Sequence, residues 1–134
     1  MGKLIWLLVL LVIAGCGMVA MPQADFGREQ ENFAQRLRWH DITDAARYIE
    51  PLHRDAFIQE FLALDGLNIT EVRCSARPAA EEPPTMVSQV EIDYYQLPSV
   101  TIRTRQIRLV WHYLGGDRWH PGTWLIEGPF PPFP

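Results

Sequence analysis

The sequence predicts an α+β domain, in which helices come first and a bent antiparallel sheet of about four strands follows. Up to residue 64 the apolar residues recur with helical spacing, and from residue 68 onward they alternate with polar residues, which is the period of a strand. Hydrophobic residues make up 48% of the 134 and charged residues 21%, which suits a single buried core. Because the strands are apolar on one face, we expect the helices to cover that face.

The first 15 residues have the pattern of a secretory signal. Lys3 precedes an uninterrupted apolar run over 4–14, and small residues follow it. The motif Ile-Ala-Gly-Cys, which ends at Cys16, resembles the lipobox of bacterial lipoproteins. The resemblance implies that the Cys16 thiol receives diacylglycerol, that the chain is cut before it, and that the new amine is acylated. The alternative is an uncleaved membrane anchor, because 4–21 is an uncharged stretch of 18 residues.

Both interpretations place the rest of the chain outside the cytoplasm, since Lys3 holds the start inside. Gly17 follows the cysteine, and the Gram-negative sorting rule implies by resemblance that a chain without aspartate there goes to the outer membrane and faces the periplasm. The sequence is therefore divided into a signal peptide, 1–15, a lipidated tether, 16–25, an α+β domain, 26–128, and a Pro-rich tail, 129–134.

Charge and cysteine content exclude several classes of protein. The formal net charge is −4, so the chain lacks the basic footprint of a nucleic-acid binder. Two cysteines are too few for a disulfide scaffold or a cysteine-based zinc site. The sequence also has no glycine-rich phosphate loop and no credible Ser-His-Asp spacing, so we predict no catalytic residue and no cofactor.

Three helices are predicted before the sheet. The first spans 26–38, and the second spans 42–49 with Asp41 as its N-cap. Pro51 is placed to begin the third, which spans 52–64. The apolar faces of the first and third helices comprise Phe26, Phe33 and Leu37, and Leu52, Ala56, Phe57, Phe61 and Leu64.

Four strands are predicted from the alternating pattern. In the third, the apolar positions change from even numbers at Val100 and Ile102 to odd numbers from Ile107 onward, which predicts a β-bulge or bend between them. The tail has too many prolines to pair in a ladder. The predicted strands span 68–77, 86–97, 100–114 and 119–126, the last interrupted by Pro121 and Gly122.

The order of elements resembles the nuclear transport factor 2-like superfamily of cone-shaped α+β domains. The resemblance covers 26–128 and is carried by a second helix reading Asp-Ile-Thr-Asp-Ala-Ala, a third that starts Pro-Leu-His-Arg, and a Gly-Asp-Arg-Trp turn before the last strand. It implies a pocket between the helices and the sheet. Some members, such as ketosteroid isomerases and polyketide cyclases, use this pocket as an active site, while others only bind ligands or proteins.

Aromatic residues are the candidates for lining such a pocket, and the alternative is that they form the core. An isomerase would need a carboxylate base and a hydrogen-bond donor that converge inside the pocket. Asp93 and Tyr94 cannot supply this pair, because neighbours on a strand point to opposite faces, with Tyr94 inward and Asp93 outward. The candidate pocket residues are Trp39, Tyr48, Tyr94, Trp111 and Trp124.

Other titratable groups give weaker signals. His112 and His120 flank a glycine turn, but no third ligand accompanies them, so we predict no metal site. Cys74 falls on the apolar strand face and is expected to be a buried, unreactive thiol. Five arginines form either a basic stripe for an acidic partner or, as we favour, a solvated outer face paired with acidic residues. These arginines are Arg73, Arg77, Arg103, Arg105 and Arg108, and the acidic residues are Glu71, Glu91 and Asp93.

The sequence therefore predicts a lipid-anchored envelope lipoprotein whose domain is non-enzymatic and binds a partner protein or a small apolar ligand. Two alternatives stay open: an isomerase- or cyclase-like enzyme of the same fold, and an assembly subunit of an envelope secretion machine. A polar pair converging in the interior would favour the enzyme. An interior filled by aromatic rings would favour the binding domain.

Overall fold

The computed structural model describes residues 22–116 and 119–134. The predicted signal segment and Cys16 lie outside these residues. Within the described part of the chain, no helix combines the length and the apolar character needed to cross a membrane.

Short helices precede the sheet in the predicted order. Turns of 3-10 helix interrupt two of the predicted helices, so that the second continues as a 3-10 turn and the third begins with one. The helices are α1, Pro22–Arg38, α2, Ile42–Ala45, and α3, Arg54–Leu62, and the 3-10 turns are Ala46–Tyr48 and Pro51–His53.

The two ends of α1 differ from the sequence prediction. The helix already begins at Pro22, so the last four residues of the expected tether are helical. It ends in a Schellman motif, in which His40 adopts a left-handed φ of 58° and its N–H donates to the Leu37 carbonyl at 3.1 Å. The Asp41 N–H donates to the Arg36 carbonyl at 2.9 Å. Asp41 stands at the N-cap position of α2, but its side chain makes no capping bond there and pairs instead with the Arg36 guanidinium.

The sheet is a meander of antiparallel strands, curled but not closed, which confirms the α+β class. Its order is that of the sequence, so β1 and β4 form the two edges. The strands are β1, Leu67–Ala80, β2, Thr85–Gln96, β3, Arg103–Leu114, and β4, Thr123–Ile126.

The predicted bulge in β3 is wrong. The strand begins at Arg103 and keeps one register with β2 along its whole length. Val100 and Ile102 lie in the loop before this strand and are 75% and 61% exposed. Their even-numbered positions therefore do not define a face of the strand. Register shifts occur in β1 instead, between Ile69 and Glu71 and between Pro78 and Ala80.

The fourth strand is shorter than predicted, because it starts only after Pro121 and Gly122. At its outer edge Ile126 forms a single parallel bridge with Ile49, and the Glu50 N–H donates to the Ile126 carbonyl at 3.2 Å. The segment between α2 and α3 is thereby fixed against the edge of the sheet.

Aromatic side chains fill the space between the helices and the inner face of the sheet. Phe57 and Phe61 of α3 are buried there, as predicted. Leu52 is instead 86% exposed, because it lies on a 3-10 turn whose pitch differs from that of the predicted α-helix. Ala56, which lies within α3, is also exposed. The largest fully buried aromatic side chains are Trp111, Trp124, Phe33, Phe57 and Phe61.

The Pro-rich tail, which the sequence analysis separates from the domain, packs into this core. Phe130 is 6% exposed, and its ring centroid lies 5.1 Å from that of Phe57. Phe133 stacks on Phe61 at 5.4 Å and contacts Tyr94 at 5.0 Å. Prolines prevent the tail from joining the sheet, but they do not prevent its phenylalanines from closing one end of the core.

Candidate functional site

The five candidate pocket residues do not line one common cavity. Trp111 and Trp124 are fully buried, at 0% and 1% exposure, and belong to the packed core. Tyr48 is half-buried with its ring centroid 6.2 Å from that of Trp111, and Tyr94 is buried at the other end of the core. Trp39 is 75% exposed and follows α1 on the surface.

Two polar side chains are buried among the described residues, and neither makes a catalytic pair. The Trp111 indole N–H donates to the Ser88 hydroxyl at 2.9 Å, so the serine satisfies a buried donor of the core. The Gln30 carbonyl oxygen is buried and has no hydrogen-bond partner within the described residues. Tyr94 faces the interior and Asp93 faces outward, as the strand parity predicts.

A charged cleft of about 590 Å³ lies outside the core, where α1, the α2–α3 segment and the β3–β4 edge meet. Its uncharged lining comes from two polar residues, Tyr48 and Thr123, and from three apolar residues, Pro51, Leu114 and Leu125. We call it the arginine cleft, and its charged lining comprises Arg36, Arg47 and Arg54 together with Glu29 and Asp44.

The three guanidinium groups of the cleft are held differently. Arg54 is fixed by two backbone carbonyls, because its Nε donates to Ile49 at 2.9 Å and its Nη2 donates to Arg47 at 3.2 Å. Arg36 is neutralised by carboxylates, with its Nη1 3.0 Å from Asp41 and 3.6 Å from Asp44.

The Arg47 side chain differs from the other two. It makes no hydrogen bond or ion pair with any residue for which the structure gives a position. Arg47 therefore presents a cation with unused donors to the cleft.

Tyr48 stands beside the acidic side of the cleft. Burial raises the pKa of its hydroxyl above the ordinary value, and the Glu29 carboxylate raises it further through charge and through a hydrogen bond. The hydroxyl therefore stays protonated near neutral pH. This side of the cleft offers a carboxylate, whereas Arg47 and Arg54 offer donors.

The five arginines predicted as one cluster lie on both faces of the sheet. Arg73, Arg77 and Arg108 are on the outer face, in register with outward residues of β2. Arg103 and Arg105 pair with Tyr94 and Ile92 and so share the inner face, where the Arg105 guanidinium donates to the Pro132 carbonyl at 3.5 Å. The single basic stripe is therefore wrong, and so is the favoured outer-face position for Arg103 and Arg105.

On the outer face, ion pairs confirm the solvated arrangement for Arg73. Its Nη1 lies 2.7 Å from Asp93 and 2.8 Å from Glu71, and its Nε lies 3.8 Å from Glu91. The Thr104 hydroxyl donates to Asp93 at 2.6 Å. The bonds from Arg73 and then Thr104 hold the pKa of Asp93 below its ordinary value.

The remaining nucleophilic and metal-binding candidates lie apart from the arginine cleft. Cys74 is half-buried on the inner face, and burial raises the pKa of its thiol to about 11. His112 Nε2 lies 3.6 Å from a Glu50 oxygen, and the other oxygen of Glu50 accepts from the Gly128 N–H at 2.9 Å. In the parts of the chain with described positions, no three His, Cys, Asp or Glu side chains form a metal-binding group.

Searches of family models, curated proteins and solved structures found no match to this chain. Sequence reasoning missed the arginine cleft, because Arg36 lies on α1, Arg47 lies within a 3-10 turn, and Arg54 begins α3. The only local signal was the density of arginines around Tyr48 and Pro51 in an otherwise acidic chain.

Proposed function

We propose that this chain is a lipid-anchored bacterial envelope protein whose domain binds a ligand or partner at its surface and catalyses no reaction. The proposal for the domain is supported by its interior, which aromatic side chains fill. Rings from α1, α3, β3, β4 and the tail are in contact with one another between the helices and the sheet. The interior is therefore occupied by packed side chains, and the arginine cleft is a concave surface that is open to a ligand.

An isomerase or cyclase would need a base and a donor that converge inside the domain. Ser88 is engaged by Trp111, and the carboxylate of Asp93 is engaged by Arg73 on the outer face. These contacts favour binding over catalysis. They also shift the proposed site from the interior to a charged cleft, which suits a polar ligand better than the small apolar ligand predicted from the sequence.

For the fold, we propose the cone-shaped nuclear transport factor 2-like type. The support is the order of elements, with three helices followed by a curled meander that the helices cover on one face. For the anchor, the support is the lipobox-like motif ending at Cys16, and Gly17 after it favours the outer membrane.

Mutation of the two cysteines tests the anchor. We expect Cys16→Ala to abolish labelling by an alkyne analogue of palmitate and to leave the precursor uncleaved, because the Cys16 thiol is the proposed acceptor. Cys74→Ala is the matched control, and it should be labelled and cleaved like the natural chain. Labelling of the Cys16→Ala variant at the natural level, with normal cleavage, would refute the lipoprotein assignment.

A further inference from the structure

We propose that the arginine cleft binds a phosphate group, carried either by a phospholipid or by a free phosphate compound. This inference rests on the proposed function, because it names the ligand class for the binding domain. The anchor at Cys16 is a separate claim with its own labelling test.

Unequal use of the three arginines points to an anion. Arg36 already faces Asp41 and Asp44, so its charge is compensated within the protein. Arg47 has no partner among the residues with described positions, and Arg54 uses only two of its five N–H donors. Two guanidinium groups with unused donors on one concave wall match the oxygens of a phosphate, which guanidinium binds in a bidentate fork.

The side of the arginine cleft formed by Arg47 and Arg54 is also pre-organised. The two backbone carbonyls that accept from Arg54 are those of Ile49 and Arg47. Ile49 is itself fixed to the edge of the sheet by its bridge to Ile126. The guanidinium of Arg54 therefore loses little conformational freedom on binding, which favours affinity.

The apolar part of the lining suggests what the phosphate is attached to. Leu114 is 49% exposed and borders the cleft together with the exposed Pro51. The cleft volume of about 590 Å³ exceeds the needs of a bare phosphate and lies within the range of small-molecule sites. A glycerol or acyl portion next to the phosphate would cover these side chains.

The carboxylates on the other side restrict where the phosphate lies. The Glu29 carboxylate lines the cleft, and a second anion close to it would be repelled. The phosphate is therefore placed at Arg47 and Arg54. The Glu29 side is left for a hydroxyl or ammonium donor of the ligand.

Titration calorimetry on the full chain in a nonionic maltoside tests the proposal, in about 0.15 M NaCl to screen unspecific charge effects. One arm uses inorganic phosphate, and the other uses dihexanoyl phosphatidic acid, each up to roughly 10 mM. We expect saturable one-to-one binding that Arg47→Gln weakens by roughly tenfold or more. Arg77→Gln is the matched control, because Arg77 is exposed on β1 at the opposite edge of the sheet.

The two arms identify the source of the phosphate. Tighter binding of the phosphatidic acid would assign a lipid, and equal binding of both probes would assign a free phosphate compound. Absence of saturable binding in both arms would overturn the inference, as would equal weakening by Arg47→Gln and Arg77→Gln. If circular dichroism shows that Arg47→Gln is unfolded, Arg47→Lys decides, because it keeps the charge and loses the fork, and unchanged affinity would refute the bidentate contact.

Failure of this test would leave the anchor intact. Palmitate labelling at Cys16 without phosphate binding would refute the ligand class alone. Phosphate binding by a chain that is not labelled would refute the anchor alone. The two claims are therefore separable.

Discussion

Replacing Trp111 with alanine tests whether the interior is as closed as its contacts indicate. The side chain is 0% exposed, and its ring centroid lies 5.4 Å from that of Phe26 and 5.6 Å from that of Phe33. Truncation of a buried aromatic residue costs about 3–5 kcal/mol, because packing is lost and a cavity remains. Typical domains have a free energy of unfolding of about 5–15 kcal/mol, so the expected loss is a large part of it.

The hydrogen bond of Trp111 makes a second, separable contribution. Ser88→Ala removes the acceptor for the indole N–H while leaving the ring in place, and an unsatisfied buried donor costs about 1–3 kcal/mol. Trp39→Ala is the matched control, because Trp39 is 75% exposed and its loss should change stability by no more than about 0.5 kcal/mol.

Urea unfolding followed by circular dichroism measures all three variants. The expected order of destabilisation is Trp111→Ala, then Ser88→Ala, then Trp39→Ala. A loss near 1 kcal/mol for Trp111→Ala, typical of ordinary substitutions, would show that the ring borders an open pocket. An open pocket there would leave room for a substrate inside the domain.

Two further predictions concern titratable groups. Cys74 should resist a thiol reagent near neutral pH in the folded chain and react once denaturant is added, because its pKa of about 11 leaves little thiolate; rapid labelling of the native chain would contradict its place on the inner face. The lowered pKa of Asp93 stabilises the fold above the carboxyl's ordinary value of 3.8, and this contribution is lost as the pH falls through the lower folded value. Asp93→Asn should therefore lose less stability than the natural chain when urea midpoints are compared at neutral and strongly acidic pH, and equal losses would show that the Arg73 bond contributes nothing.

The order of helices and strands could be predicted from the sequence, because burial on one face imposes a period that local residues reveal. Phe33 and Phe61 each belong to an apolar stripe with helical spacing on their own helix, and Tyr94 follows the alternation of a strand. The prediction was wrong where a local pattern had another cause. Leu52 fits a helical stripe but lies on a 3-10 turn, and Val100 alternates within an exposed loop.

The arginine cleft could not be predicted, because its residues meet only after tertiary packing. Arg36 comes from α1, whereas Arg47 and Arg54 come from the segment that Glu50 fixes to the sheet edge. No period or motif in the sequence links these positions. The packing of the tail was missed for a related reason, since proline content predicts what a segment cannot pair with but not where its phenylalanines pack.

The position of Phe130 and Phe133 in the core has a consequence for biosynthesis. These residues contact Phe57 and Phe61, which leave the ribosome some seventy residues earlier. Domains of nascent chains fold as units, so the aromatic core can be completed only after the tail has been made. Until then α3 lacks three of its ring contacts. For a chain that is exported as proposed, the core would therefore stay unfinished until Phe133 has been made, which prolongs the time in which the precursor can still be threaded through a channel.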